Sequence, residues 1–342
     1  MSDVDPSGTL AEAVDQGRGR SAAVSRAHAL FRLIRGNGIL LALIILLAAG
    51  ALLSPHFLTI NNIATVARQM SIVGILGIGM TFVILTAGID LSVGSIMGLV
   101  AVSFAISLAS GLAWPLAILL AFAVGAAVGA VNGLGITRGG LQPFIMTLGM
   151  LVIARGLTFT VSEGKPVRVG DASDAIEWIG SGSVVGIPVP LILFVGIAGV
   201  SWFVLRFTAF GRQFYAVGDN LEAARLSGID TRRVIFSAYV ISGLCAAVSA
   251  MIVVSRLAAA EPTQGQGNEL DAIAIVVIGG TSLFGGEGGV GGTFIGAMVV
   301  AAMNNLLNLL NVSPFTQQIV KGLIILGAVF LERRTRARQE GR

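Results

Sequence analysis

Long apolar runs, broken at intervals by short polar or glycine-rich stretches, dominate the chain. No charged residue lies between Asp90 and Arg138, between Glu177 and Arg206, or between Glu287 and Lys321. One bilayer crossing takes about 20 apolar residues in helical form, so some of these intervals hold one crossing and some hold two. The pattern predicts ten membrane helices, near residues 38–54, 70–88, 93–110, 113–131, 143–161, 187–205, 233–255, 271–284, 291–311 and 314–331. Breakers separate them: SPHF around Pro55, the Trp114–Pro115 pair, and the glycine-containing stretches 132–140 and 285–292. The fold class expected is all-α, a polytopic bundle of about ten transmembrane helices, some of them broken near the glycine-rich segments.

Composition supports the same class. Of 342 residues, 55% are hydrophobic and 12% charged, whereas soluble domains run about a quarter charged. The net charge of +4 matters less than its distribution. The stretches 1–37, 132–142, 206–232 and 332–342, with Arg233 at the edge of the third, hold 16 of the 22 Lys and Arg. Positive loops stay on the cytoplasmic side, and an even number of spans puts both termini there. The expected organisation is a disordered polar cytoplasmic tail over 1–37 and a transmembrane domain over 38–331. Within that domain lies a charged cytoplasmic loop over 206–232, and a basic cytoplasmic tail over 332–342 follows it. Each basic cluster abuts a hydrophobic span, so topology accounts for it and no nucleic-acid partner is read from it.

Several chemistries drop out. The single Cys245 cannot form a disulfide within the chain, and His28 and His56 stand far apart without metal-ligand spacing. GEGGVG (286–291) is a literal GxGxxG, but the acid that should follow about 20 residues on is missing and the flanks are membrane-like. A glycine-rich break between two membrane helices is the reading preferred there. No GxxxxGK[ST] occurs, so ATP is not bound by that route, and no cofactor is expected. A membrane enzyme would need a nucleophile with its base, or a ligand cluster. A proton-coupled secondary transporter, the alternative function, would need several ionisable groups within the spans, and Asp90, Arg155 and Glu287 are few.

Three features carry candidate chemistry. In ILTAGIDLSVGS (84–95), Asp90 and Ser92 lie deep in an apolar region. Two readings stay open: a cap on the helix that follows, or part of a conduction path or gate. Asn304, Asn305, Asn308 and Asn311 recur at helical spacing, so that Asn304 or Asn305 shares a face with the other two. They either bond neighbouring helices or line a route for a polyhydroxylated solute. Within the charged loop, DNLEAARLSG (219–228) reads as a short helix capped by Asp219 or Asn220 and stopped by Gly228. Such an element rests on lipid headgroups or inserts into a partner, and its glycine borders Gly211, Gly218 and Gly228 favour docking. GAAVGAVNG adds Gly125, Gly129 and Gly133 at the spacing of a close helix contact.

FVILTAGIDLSVGSIMGL (82–99), GRQFYAVGDNLEAARLSGID (211–230) and ELDAIAIVVIGGTSLFGGEG (269–288) resemble the permeases of bacterial monosaccharide ABC importers, most of all the ribose type. LSPHFLTINNI (53–63) and NNLLNLLNVS (304–313) fit the same pattern. The resemblance implies an inner-membrane permease translocating ribose or a similar sugar, itself no enzyme. It works as one of two permease chains, a homodimer in lipid, with a periplasmic sugar-binding protein outside and a cytoplasmic ABC-type ATPase subunit inside. It also implies that the short loop helix seats in the ATPase, which gives coupling roles to Gly218, Asp219, Asn220, Leu221, Glu222, Ala223, Ala224 and Gly228. Asp90, Ser92 and the four asparagines are the candidates for the translocation pathway.

Overall fold

The computed structural model describes residues 38–340, so the expected tail over 1–37 lies outside the described residues, as do Gly341 and Arg342. Among the described residues a helix overlies each of the ten expected runs. In chain order the first seven α-helices are α1 (Gly38–Leu53), α2 (Ile60–Leu85), α3 (Val93–Ala109), α4 (Trp114–Thr137), α5 (Pro143–Val161), the small amphipathic α6 (Ser173–Gly180), which matches none of the expected runs, and α7 (Val189–Phe207). Two short helices, α8 (Ala209–Asp219) and α9 (Leu221–Leu226), come next. The chain then finishes with α10 (Thr231–Leu257), α11 (Asn268–Ile278), α12 (Val290–Leu309) and α13 (Pro314–Glu340).

Among the described residues, α2, α4, α5, α7, α10 and α12 are long and apolar enough to cross a membrane, and α1 and α3 are shorter apolar helices. At about 1.5 Å rise per residue, the 11 residues of α11 reach about half of a hydrocarbon layer roughly 30 Å thick. This is the broken helix expected beside the glycine-rich segment. The residues preceding GEGGVG form this helix and not a strand, so the strand–turn–helix context of a dinucleotide site is missing. The segment expected as a basic tail continues α13 as helix to Glu340.

The core forms around α2 and α10, whose side chains are buried over most of their length. Small residues make this possible. Gly125 and Gly129 on α4 face the backbone of α10 at Gly243 and Tyr239, and Gly133 meets Phe236. A Cβ on Gly243 would fall onto the carbonyl oxygen of Gly125. With lipid on one side there is no hydrophobic gain from pressing apolar helices together, so close van der Waals contact of this kind supplies the attraction. On α2, Gly79 lies against Ser242 and Cys245 of α10, and Gly77 against Ile275 of α11.

The α2 helix begins at Ile60, well before the expected 70. Asn61, Asn62, Arg68 and Gln69 mask its first turns from a hydropathy reading. Asn62 has a partner inside the protein: its carboxamide exchanges hydrogen bonds of 2.9 and 2.8 Å with Asn305 on α12.

One end of the bundle carries α8 and α9. The opposite end is closed by the loops after α5 and α10. There, strand β1 (Val167–Arg168) pairs antiparallel with β4 (Ala259–Ala260), and Gly180 of α6 packs on the backbone of Ile252 and Arg256. A hairpin of β2 (Ser183–Val184) and β3 (Ile187–Pro188) leads into α7. Arg155 of α5 fixes this lid by donating to the carbonyls of Pro262 (3.0 Å) and Gln264 (2.9 Å).

Replacing Gly243 with Leu is expected to force α4 from α10 and destabilise the bundle by about 1–3 kcal/mol, the usual cost of overpacking. Thermal unfolding of the purified chain in detergent reads this directly, and an unchanged midpoint would mean the seam is not tightly packed.

Candidate functional site

The elbow formed by α8 and α9 is built from local signals. Thr208 caps α8, its hydroxyl accepting from the Gly211 amide (2.9 Å) and donating to the Val204 carbonyl (2.7 Å). Phe210, Phe214 and Val217 follow at helical spacing, and Phe214 and Val217 are buried. Phe214 stacks edge-on against Phe82 of α2, with ring centres 5.2 Å apart. Asn220 then leaves the helix with extended backbone and caps α9, its Oδ1 accepting from the Ala223 amide at 2.9 Å. Asn220, and not Asp219, is therefore the cap. Gly228, with φ +82°, ends α9 in a left-handed turn, and Asp230 caps α10 through the Arg233 amide (3.1 Å).

Only Ala224 of α9 is buried. Leu221 is 52% and Leu226 78% exposed, and Ala223 and Glu222 also face outward, the latter bridged to Arg225 at 2.7 Å. An exposed ion pair of this kind contributes about 0.2–1 kcal/mol at most, so it shapes the surface more than it holds the fold. Two isolated leucines beside an ion pair, on a helix fixed at both ends, make a small projecting knob.

Behind the knob, α8 is pinned to the broken helix. A Cβ on Gly218 would collide with the Leu85 carbonyl oxygen at the end of α2, and that oxygen also accepts from the Gly286 amide (3.1 Å). Tyr215 donates its hydroxyl to the Gly288 carbonyl at 3.2 Å. Burial pushes the Tyr215 phenol above its ordinary range, while the Arg206 cation pulls it the other way. Gly280, Gly285, Gly286, Gly288 and Gly289 all take positive φ through the break, a path that side chains with a Cβ resist. A cavity of about 710 Å³ lies beside it, walled by Trp202, Arg206, Arg212, Tyr215 and glycines 288–289.

The second cluster lies in the core. Asp90 is fully buried. Its Oδ1 accepts from the Ser92 amide (3.0 Å) and hydroxyl (2.6 Å), and its Oδ2 from the Ser242 hydroxyl of α10 (2.7 Å). Asn132 of α4 donates to the Ser92 hydroxyl at 2.8 Å. Ser92 holds the N-cap position of α3 without a side-chain bond to the helix. The carboxylate thus ties the turn before α3 to α10, with α4 joined through Ser92, and shows no surface to an open passage.

The asparagine series of α12 does not act as one face. Asn305 pairs with Asn62. Asn308 accepts from the buried Gln317 of α13 at 2.7 Å. Asn311, at φ +55°, makes the exposed turn after α12. Asn304 alone borders a cavity of about 330 Å³ near the lid, with Gln69 and Asn268. Its Oδ1 is shielded from solvent and has no hydrogen-bond partner among the described residues, a situation that costs about 1–3 kcal/mol unless something supplies a donor.

A family model described as the permease component of a branched-chain amino acid transport system matches residues 62–329, which spans the core, the break and the elbow. The chain belongs to this permease family. It is 46% identical to the ribose import permease protein of Bacillus subtilis over 300 residues, covering 88% of this chain and 93% of that one. It is 42% identical to the ribose import permease protein of Haemophilus influenzae over 294 residues, 85% and 91% of the two chains. A D-allose transport system permease protein of Escherichia coli is 40% identical over 299 residues, 87% and 91% of the two chains. No solved structure matches the permease. It is a multi-pass membrane protein and a transport component.

Sequence reasoning overlooked two parts of this permease. The α8 helix reads as loop in hydropathy, although Phe210, Phe214 and Val217 carried an amphipathic signal. The ion pair of Lys321 on α13 with Asp271 on α11, at 2.8 Å, had none. Both partners are mostly buried, at 23% and 10% side-chain exposure, and their separation along the chain hides the pairing.

Replacing Ser242 with Ala leaves Asp90 Oδ2 without its donor and is expected to cost about 1–3 kcal/mol. Adding Asp90→Asn should recover part of that loss, because the buried charge goes with it. A double-mutant cycle on thermal unfolding checks this, and strict additivity would mean the two groups do not interact.

Proposed function

We propose that this permease is the membrane subunit of an ATP-binding cassette importer in a bacterial inner membrane, passing ribose or a similar monosaccharide and driven by a separate ATPase subunit. The observation that carries the reading is the projecting knob Leu221–Leu226, fixed by caps at both ends and pinned through Gly218 to α2 and the broken helix. A chain without an ATP-binding motif needs its engine from outside, and a rigid knob transmits a partner's movement where a flexible loop would absorb it. Gly218, Asp219, Asn220, Leu221, Glu222, Ala223, Ala224 and Gly228 form the coupling element in this reading. Its exposed members touch the ATPase, while Ala224, Gly218 and the capping Asn220 hold the shape.

The concentration of Lys and Arg at the elbow end and the chain termini supports a cytoplasmic elbow and cytoplasmic termini. The lid, then periplasmic, faces the sugar-binding protein, and a second copy of the permease completes the assembly within lipid. The family description names branched-chain amino acids, whereas the relatives at 40–46% identity are named for ribose and allose. Close relatives over most of the chain weigh more for the cargo than a family-wide description. Of the pathway candidates, Asn304 keeps that role. Asp90 and Ser92 serve as a lock between helices, and Asn305, Asn308 and Asn311 serve α12 and its neighbours.

Ala223→Trp places a bulky ring on the knob without touching the core. In cells carrying the cognate ATPase and binding protein, it should lower ribose uptake at least tenfold while the permease still reaches the membrane. Normal uptake by this variant would remove the docking assignment. Wild-type uptake that survives ATP depletion and collapses with the proton gradient would instead make the chain a secondary transporter.

A further inference from the structure

The cavity beside Asn304 sits at the lid end of the bundle, away from the elbow. Its polar wall comes from four separate elements: Gln69 of α2, Arg256 of α10, Asn268 of α11 and Asn304 of α12, with Gln264 from the lid loop above. The remaining wall is aliphatic, and Met97 of α3 accepts a weak hydrogen bond from Asn268 Nδ2 at 3.4 Å. At about 330 Å³ it falls at the lower end of the range for small-molecule sites, about 300–1,000 Å³.

The chemistry of the wall selects among solutes. A carboxamide both donates and accepts, and so does a sugar hydroxyl, so four carboxamides, Gln69, Gln264, Asn268 and Asn304, around an aliphatic floor match a ring with hydroxyls on its rim. An amino acid would find Arg256 for its carboxylate but no carboxylate among the lining residues for its ammonium group. Asn304 lines the cavity with a carboxamide whose Oδ1 makes no hydrogen bond among the described residues, so that oxygen is not committed to the fold.

We propose that this cavity holds a neutral polyhydroxylated solute of monosaccharide size during its passage, with Gln69, Asn268 and Asn304 as its hydrogen-bonding contacts. The proposal rests on the importer reading and adds to it a location and a basis for choosing sugars over amino acids. The Gln69 side chain makes no hydrogen bond among the described residues, so Gln69→Leu alters the cavity without removing a side-chain bond from the fold. Asn304→Leu removes a carboxamide from the wall.

The test is uptake of labelled ribose, and in parallel labelled leucine, by cells holding the permease with its cognate ATPase and binding protein. ATP hydrolysis stimulated by the loaded binding protein is measured on the same complexes in vesicles, and the amount of permease in the membrane is scored. Both variants should lose at least tenfold in ribose uptake, while stimulated hydrolysis stays within twofold of wild type. Ribose uptake within twofold of wild type in Gln69→Leu, at equal membrane abundance, would overturn the cavity assignment and leave the importer reading standing. A wild-type complex that carries leucine and not ribose would overturn the importer reading for sugars, and the cavity assignment with it.

Discussion

A break in a membrane helix strips amides and carbonyls of their helical partners, and each one left unpaired within the hydrocarbon costs several kcal/mol. The polypeptide between Ile278 and Val290 meets this constraint with its own turns and with borrowed partners. The Ser282 amide bonds the Glu287 carbonyl, the Gly289 amide bonds the Thr281 hydroxyl, and the Gly286 amide reaches the end of α2 at Leu85. Tyr215 of the elbow satisfies Gly288. The elbow is therefore part of what keeps the break tolerable, and the break is what holds the elbow still.

That mutual support gives the permease a mechanical axis. α12 starts at the break and runs 20 residues, about 30 Å at helical rise, passing the cavity bordered by Asn304 about three-quarters of the way along. The same helix touches the elbow region at one end and the lid-end cavity toward the other. Its far end is itself anchored, by the Asn62–Asn305 pair on one side and by Asn308 and Gln317 on the other. The ion pair of Asp271 and Lys321 adds a brace between the half-helix and α13. Carboxamides and one ion pair, each matched inside the protein, replace the hydrophobic drive that lipid withholds.

Asp90 shows why an ionisable group in a span has to be judged by its neighbours. Depth alone suggested either a cap or a gate. Two serine hydroxyls and one amide donate to its two oxygens, which turns an expensive buried acid into a joint between the loop before α3 and α10. The asparagine series teaches the same lesson in reverse. Four residues with one chemistry at helical spacing serve different purposes, because each helical step points a side chain toward a different neighbour.

The sequence by itself determined the membrane class, the positions of the apolar helices, the break and the capped helix of the elbow. Those features follow from composition and from contacts within a few residues: an apolar run long enough to cross, glycines that permit positive φ, a cap three residues ahead of the amide it serves. The tertiary structure alone decided that Asp90 meets Ser242, that Asp271 meets Lys321, and that Asn305 finds a partner while the Oδ1 of Asn304 finds none among the described residues. Those partners stand 152, 50 and 243 residues apart for Ser242, Lys321 and the Asn62 that occupies Asn305. No local preference encodes such pairings, because they arise only when the glycine seams bring the helices into register.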